Sequence, residues 1–128
     1  LSRAGDGARE RFPRSARLLN GAAYGRVFKR AERSSNRDFT VLTRPNDHGR
    51  ARLGMAVSKK VSAKAVVRNR IKRVIRESFR RHQAELDGLD VVVIGKAGAA
   101  IQRGDGLRRS LEGHWARIAK TRHRPAKD

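Results

Sequence analysis

The chain has no cysteine, and its 128 residues include only one tyrosine, one tryptophan, three prolines and 12 acids. Without cysteine there is no disulfide, no thiolate metal ligand and no thiol nucleophile. No apolar run reaches the roughly 18 residues of a membrane span, and no lipidation motif is present. The segment from Leu1 to Ser15 is charged and lacks an apolar stretch of the signal-peptide kind. A soluble cytoplasmic protein with no membrane partner is the expectation.

The few acids are scattered, whereas a metal-dependent nuclease needs carboxylates gathered around its ions. Walker A, G-x-S-x-G, H-E-x-x-H and G-x-G-x-x-G patterns are all missing. His48, His82, His114 and His123 do not stand at metal-ligand spacing. His82 and His114 fall on the apolar sides of their predicted helices, where a hydrogen-bonded structural role is expected. No catalytic residue, no protein-bound metal and no protein-bound cofactor is predicted.

What is present is positive charge. Lys and Arg number 32, the formal net charge is +20 and the pI is near 11.9. Self-repulsion on this scale opposes compaction, so a polyanionic partner is implied. The charge concentrates in a helical pattern from about Lys64 to Leu86 that contains Arg68-Asn69-Arg70-Ile71-Lys72-Arg73-Val74-Ile75-Arg76. At about 100° per residue, Val67, Ile71, Val74, Ile75 and Ser78 share one arc. Asn69, Lys72, Arg73, Arg76 and Arg80 occupy the opposite arc. One side seals a core while the other presents cations whose planar forks suit phosphate. Asn69 adds an amide able to read a base edge or a 2′-hydroxyl, unless it is a simple surface amide. Glu77, the lone acid of this stretch, reads as an intrahelical partner of Arg73, Arg80 or Arg81. Lys59 and Lys60, just before the helix, extend the positive surface.

Residues 1–16 read as a flexible basic arm and residues 120–128 as a basic disordered tail, flanking a domain over 17–119. Asn20 caps a predicted helix carrying Ala23, Tyr24, Val27, Phe28 and Ala31 at three- and four-residue spacing. Tyr24 and Phe28 form either core packing, which spacing alone favours, or an apolar wall for an unpaired strand. Residues 38–43 read as a strand, Phe39 and Val41 facing one way and Thr40 and Leu42 the other. Residues 52–58 read as a second strand, joined to the first as a hairpin through Pro45-Asn46-Asp47-His48-Gly49. The apolar run from Asp90 to Gly95 suggests a central strand buried on both faces. Leu107, Leu111, Trp115 and Ile118 make a final helical stripe, capped by Asp105. The class is α+β, helices packed on a mostly antiparallel sheet.

Ser58-Lys59-Lys60, followed by Arg68-Asn69-Arg70-Ile71-Lys72-Arg73 with Arg76 beyond, resembles the signature of the bacterial ribonuclease P protein subunit. Supporting matches are Arg17-Leu18, the Tyr24 and Phe28 pair, Arg37, Phe39, and Val91-Val92-Val93-Ile94 with Lys96 behind it. The resemblance spans about residues 12–119. It implies a single α/β sandwich of order αβββαβα, with a left-handed crossover through the basic helix. It implies partnership with the ribonuclease P catalytic RNA, one copy to one, and with the single-stranded 5′ leader of precursor tRNA. Mg²⁺ and catalysis would belong to the RNA. By resemblance Lys59, Lys60, Arg68, Asn69, Arg70, Lys72, Arg73, Arg76 and Arg80 would contact RNA, and Tyr24, Phe28, Thr40 and Leu42 would line the leader cleft. Leu42 stands where some members carry an aromatic residue, so it offers apolar contact without a ring to stack on. The alternative reading is a ribosomal or ribosome-associated RNA-binding protein without a processing role. A nucleoid DNA-binding protein and a protein-only nuclease rank below it.

Overall fold

A computed structural model describes residues 31–46 and 49–122. The expected arm, Tyr24, Phe28, His48 and His123 lie outside the described residues, as does the expected first helix apart from Ala31.

The architecture is a four-stranded sheet with helices on it, in spatial order β1-β2-β4-β3. Strand β1 spans Glu32–Ser35, β2 Phe39–Pro45, β3 Arg52–Ala56 and β4 Leu89–Gly95. β4 pairs with β2 antiparallel and with β3 parallel. Its central place follows from its composition: Val91, Val92 and Val93 are fully buried, so the strand needs cover on both faces and neighbours on both edges.

The expected hairpin between residues 38–43 and 52–58 does not form, because β4 inserts between those two strands. The hairpin is instead β1–β2, antiparallel with Ser35 opposite Thr40. Asn36 builds its turn: the side-chain oxygen accepts from the amides of Asp38 and Phe39, each at 2.9 Å. β1 carried no strand signal, since Glu-Arg-Ser-Ser has no β-branched or aromatic residue. Charged, short and at the sheet edge, it has the features that blunt edge-to-edge pairing. β3 ends at Ala56, before the turn in which Ser58 O accepts from the Val61 amide at 3.0 Å.

The parallel β3–β4 pairing requires a crossover, supplied by helix α1 (Ala65–Arg81) and the short α2 (Gln83–Leu86). The single helix read over Lys64–Leu86 is thus broken at His82. There the backbone leaves the helical region and the imidazole pairs with Glu85 at 2.9 Å. His82 is therefore a half-exposed junction residue and does not sit on an apolar face. Gly88, at φ +86°, makes the turn into β4 that a side chain would resist.

α1 places Ile71, Val74, Ile75 and Ser78 in the core, with Val67 packed at its margin, which is the predicted arc, and buries Phe79 beside them. A short helix α3 (Ala97–Ile101) follows β4, and α4 (Gly104–Arg122) closes the chain. α4 buries Leu107, Leu111, Trp115 and Ile118 as expected, together with His114. Asp105 lies inside its first turn, where its carboxylate accepts from the Gly106 amide, because the helix starts a residue before it. α4 also runs past Lys120, the expected start of the tail. Phe79 and Trp115 meet edge to face at 6.5 Å, and the indole donates to Ser78 Oγ at 2.8 Å. That bond satisfies the hydroxyl that α1 carries into the core.

Candidate RNA-binding surfaces

The residues that pin α1 to the sheet turn its basic face outward. Asn69 and Arg73 are exposed, while Lys72, Arg76 and Arg80 are half-buried along the same side. Lys59 and Lys60 stand exposed in the turn before the helix. The like-charged i,i+4 neighbours Arg68/Lys72, Lys72/Arg76 and Arg76/Arg80 each destabilise the free helix by roughly 0.2–0.5 kcal/mol. A polyanion would relieve that repulsion. Arg80 and Arg81 in the last turn complement the helix dipole.

Two arginines of the cluster are also tied into the fold. Arg68 donates from Nη1 to Ser62 O at 2.9 Å, closing the loop that leads into α1. Arg70 leans toward the α3–α4 junction and reaches Gln102 O at 3.4 Å. Gln102 in turn donates its amide to Asp38 at 3.1 Å. Glu77 makes no ion pair with Arg73, Arg80 or Arg81 among the described residues, contrary to expectation. Ion pairs at a solvated helix surface gain too little to hold long side chains in one geometry.

The opposite face of the sheet is a separate surface. Thr40 and Leu42 lie on it, both buried at 7% and 8% exposure, as the strand alternation predicts: Phe39 and Val41 join the helix-side core, whereas Leu42 clusters with Val92, Ala31 and Ile94. Thr40 and Ser35 share a hydrogen bond at 2.9 Å, and Lys96 Nζ donates to Ser35 Oγ at 3.4 Å. A cation thus stands at the Thr40 end of this face. At the other end Arg52 grips Asp90 through two bonds of 2.7 and 2.8 Å. The hydrogen bond to Asp90 raises the Arg52 pKa further above its usual value. Asn46 donates to the same carboxylate at 2.8 Å.

Among the described residues, no three of His, Asp and Glu come together as a metal-binding group. No described helix is long and apolar enough to cross a membrane.

The sequence model for ribonuclease P matches residues 12–119. The chain belongs to the ribonuclease P protein family. The ribonuclease P protein component of Thioalkalivibrio sulfidiphilus is 45% identical over 108 residues, covering 84% of this chain and 90% of the relative. That of Methylococcus capsulatus is 49% identical over 104 residues, covering 81% of each. Among solved structures, the Staphylococcus aureus RNase P protein aligns with a TM-score of 0.73 at 38% identity, covering 82% of this chain and 95% of that one. The Thermotoga maritima RNase P protein aligns at 0.70 and 32%, covering 79% and 96%.

In this ribonuclease P family member, α1 and the turn before it gather Lys59, Lys60, Arg68, Asn69, Arg70, Lys72, Arg73, Arg76 and Arg80 on the helix-bearing side. Thr40 and Leu42 sit on the far side of the sheet. The two predicted groups are back to back and do not form one patch. Sequence reasoning missed Ser35, Ser62 and Gln102, which hold Thr40, Arg68 and Arg70. Their only signal was a polar residue beside a turn or helix end, which is too common to single out. His114 is buried and hydrogen-bonded to Ser34 Oγ at 2.7 Å, the structural role expected of it.

Proposed function

We propose that this protein is the protein subunit of ribonuclease P. It binds the catalytic RNA through the outer face of α1 and through Lys59 and Lys60, one protein to one RNA, in the cytoplasm. It holds the single-stranded 5′ leader of precursor tRNA against the Thr40–Leu42 face, with Tyr24 and Phe28 completing that site. The single observation that carries this reading is the match of the ribonuclease P model over nearly the whole chain, including the basic helix.

The protein's part is electrostatic and geometric. Each phosphate neutralised by Arg or Lys releases counterions, so affinity falls steeply with salt. The guanidinium groups of Arg68 and Arg70 are each held by one bond, to Ser62 O and Gln102 O, which reduces the side-chain freedom lost on binding. The leader face carries Leu42, the hydroxyls of Thr40 and Ser35 and the Lys96 cation, a combination that grips a strand with little regard to its sequence. Mg²⁺ and the nucleophile belong to the RNA in this reading, and the protein supplies neither.

The test is 5′ leader removal from a precursor tRNA at low Mg²⁺, with this protein alone, a bacterial ribonuclease P RNA alone, and both together. Cleavage that needs both, or that the protein strongly raises, supports the reading. Cleavage by the protein alone would move the chemistry onto the polypeptide. No effect in any mixture of folded components would favour a ribosomal RNA-binding role.

A further inference from the structure

A cavity of about 280 Å³ opens between the β1–β2 edge and the C-terminal half of α4, lined among others by Ser34, Val41, Thr43, Leu89, Arg117 and Ile118. It lies on the helix-bearing side of the sheet, away from Thr40 and Leu42. We propose that it receives one unpaired nucleobase of the RNA bound by α1, with Arg117 on the adjoining phosphate. The identity of that RNA rests on the function proposed above.

Three observations converge on this occupant. Size is the first: the volume falls just under the roughly 300–1,000 Å³ of pockets for drug-sized ligands. One flat heterocycle fits there, and a peptide helix does not. Polarity is the second. Val41, Leu89 and Ile118 give apolar walls, and Thr43 adds a hydroxyl to the same lining. The polar edge of a base can hydrogen-bond that hydroxyl, which both donates and accepts. Charge is the third. Arg117 donates from Nη1 to Ser34 Oγ at 2.8 Å, which fixes the guanidinium at the cavity. The rest of its fork has no partner among the described residues. A pre-positioned fork is suited to a phosphate oxygen pair, and a net charge of +20 draws polyanions to it. Because α1 and α4 pack on the same side of the sheet, the RNA held by α1 is the one placed to supply the nucleotide.

The experiment has two arms on the full chain. In the first, backbone amide shifts are followed while 5′-nucleoside monophosphates are added, with inorganic phosphate as the comparison. The amides of Thr43, Leu89 and Ile118 are expected to move with a mononucleotide and not with phosphate alone. Equal responses to both, or none, would overturn the proposal whatever RNA the protein binds. In the second arm, affinity for a ribonuclease P RNA is measured for Thr43→Val, Ile118→Trp and Arg73→Ala. Thr43→Val keeps the shape of a β-branched strand residue and removes one hydrogen bond, an expected loss of about 2- to 12-fold. Ile118→Trp fills the cavity and is expected to lose more, with the amide spectrum confirming a folded protein. Wild-type affinity in Thr43→Val, alongside a loss in Arg73→Ala, would sink the cavity as a binding site and leave the proposed function standing. Failure of the wild-type protein to bind the RNA would count against the proposed function, while the mononucleotide arm still decides the cavity.

Discussion

Acidification should loosen this protein through one buried imidazole. His114 is 1% exposed, and its pKa is lowered from 6.5 to about 4, first by burial and then by the nearby Arg117 charge, with Asp38 opposing. The groups facing it are therefore Ser34 on β1, Arg117 on its own helix and Asp38 beside the β1–β2 turn. The folded state keeps the ring neutral while the unfolded chain takes up a proton. This group's stability is therefore fully present above about pH 6.5 and is lost as pH falls toward about 4. The complete loss corresponds to about 3 kcal/mol. Roughly 2 kcal/mol of it goes between about pH 7 and about pH 5. For a domain of this size that is a fall in Tm of about 5–10 °C.

The assay is thermal or urea unfolding across this range for the wild type and for His114→Phe. Every other ionisable group is common to both proteins, so the difference between the two curves isolates His114. The variant sacrifices the Ser34 hydrogen bond and is expected to be less stable at neutral pH, but its curve should be flatter. Parallel curves for the two proteins would show that the ring is already protonated in the fold, or too wet to matter, and would refute the reasoning.

Three further outcomes are expected. Gly98→Ala should destabilise by about 1–3 kcal/mol, because an added Cβ would stand 2.5 Å from Arg37 O and 2.7 Å from Asp38 Oδ1; an unchanged urea midpoint would show that the β1–β2 turn can yield. Arg73→Ala and Arg76→Ala should each lower the slope of log affinity against log salt by about 1 in binding to ribonuclease P RNA. Both should leave stability within about 0.5 kcal/mol, and an unaltered slope would remove that residue from the phosphate contacts. Asp90→Asn should cost about 3 kcal/mol by leaving Arg52 without its charge partner, since the two side chains are only 16% and 5% exposed. Added salt should recover little of that loss, because buried pairs are weakly screened, and a large recovery in a denaturation series would contradict the burial argument.

Local pattern and tertiary arrangement contributed differently here. The two arcs of α1, the parity of Phe39, Thr40, Val41 and Leu42, the central place of Val91–Val93 and the stripe of α4 were all legible. Each is set by a period, and burial on one face follows directly from it. The spacing of Arg68, Asn69, Arg70, Lys72, Arg73 and Arg76 marked a strongly basic helix and, by resemblance, the family. β1 was not legible, because an edge strand of Glu, Arg and Ser is held by its partner β2 and has little strand propensity of its own. Nor was the strand order, since residues 39–45 and 52–56 looked like neighbours until the apolar β4 claimed the place between them. The break at His82 and the inward lean of Arg70 depend on neighbours distant in sequence, Gln102 for Arg70 among them. The sequence by itself determined the periodic faces, the excess of positive charge and its place on one helix, because these are properties of consecutive residues. Only the tertiary structure decided that the cations and the Thr40–Leu42 face lie on opposite sides of one sheet, and that Ser34, Thr43, Arg117 and Ile118 enclose a cavity. Those arrangements depend on which strands pair, and burying the valines of β4 on both faces settles that pairing.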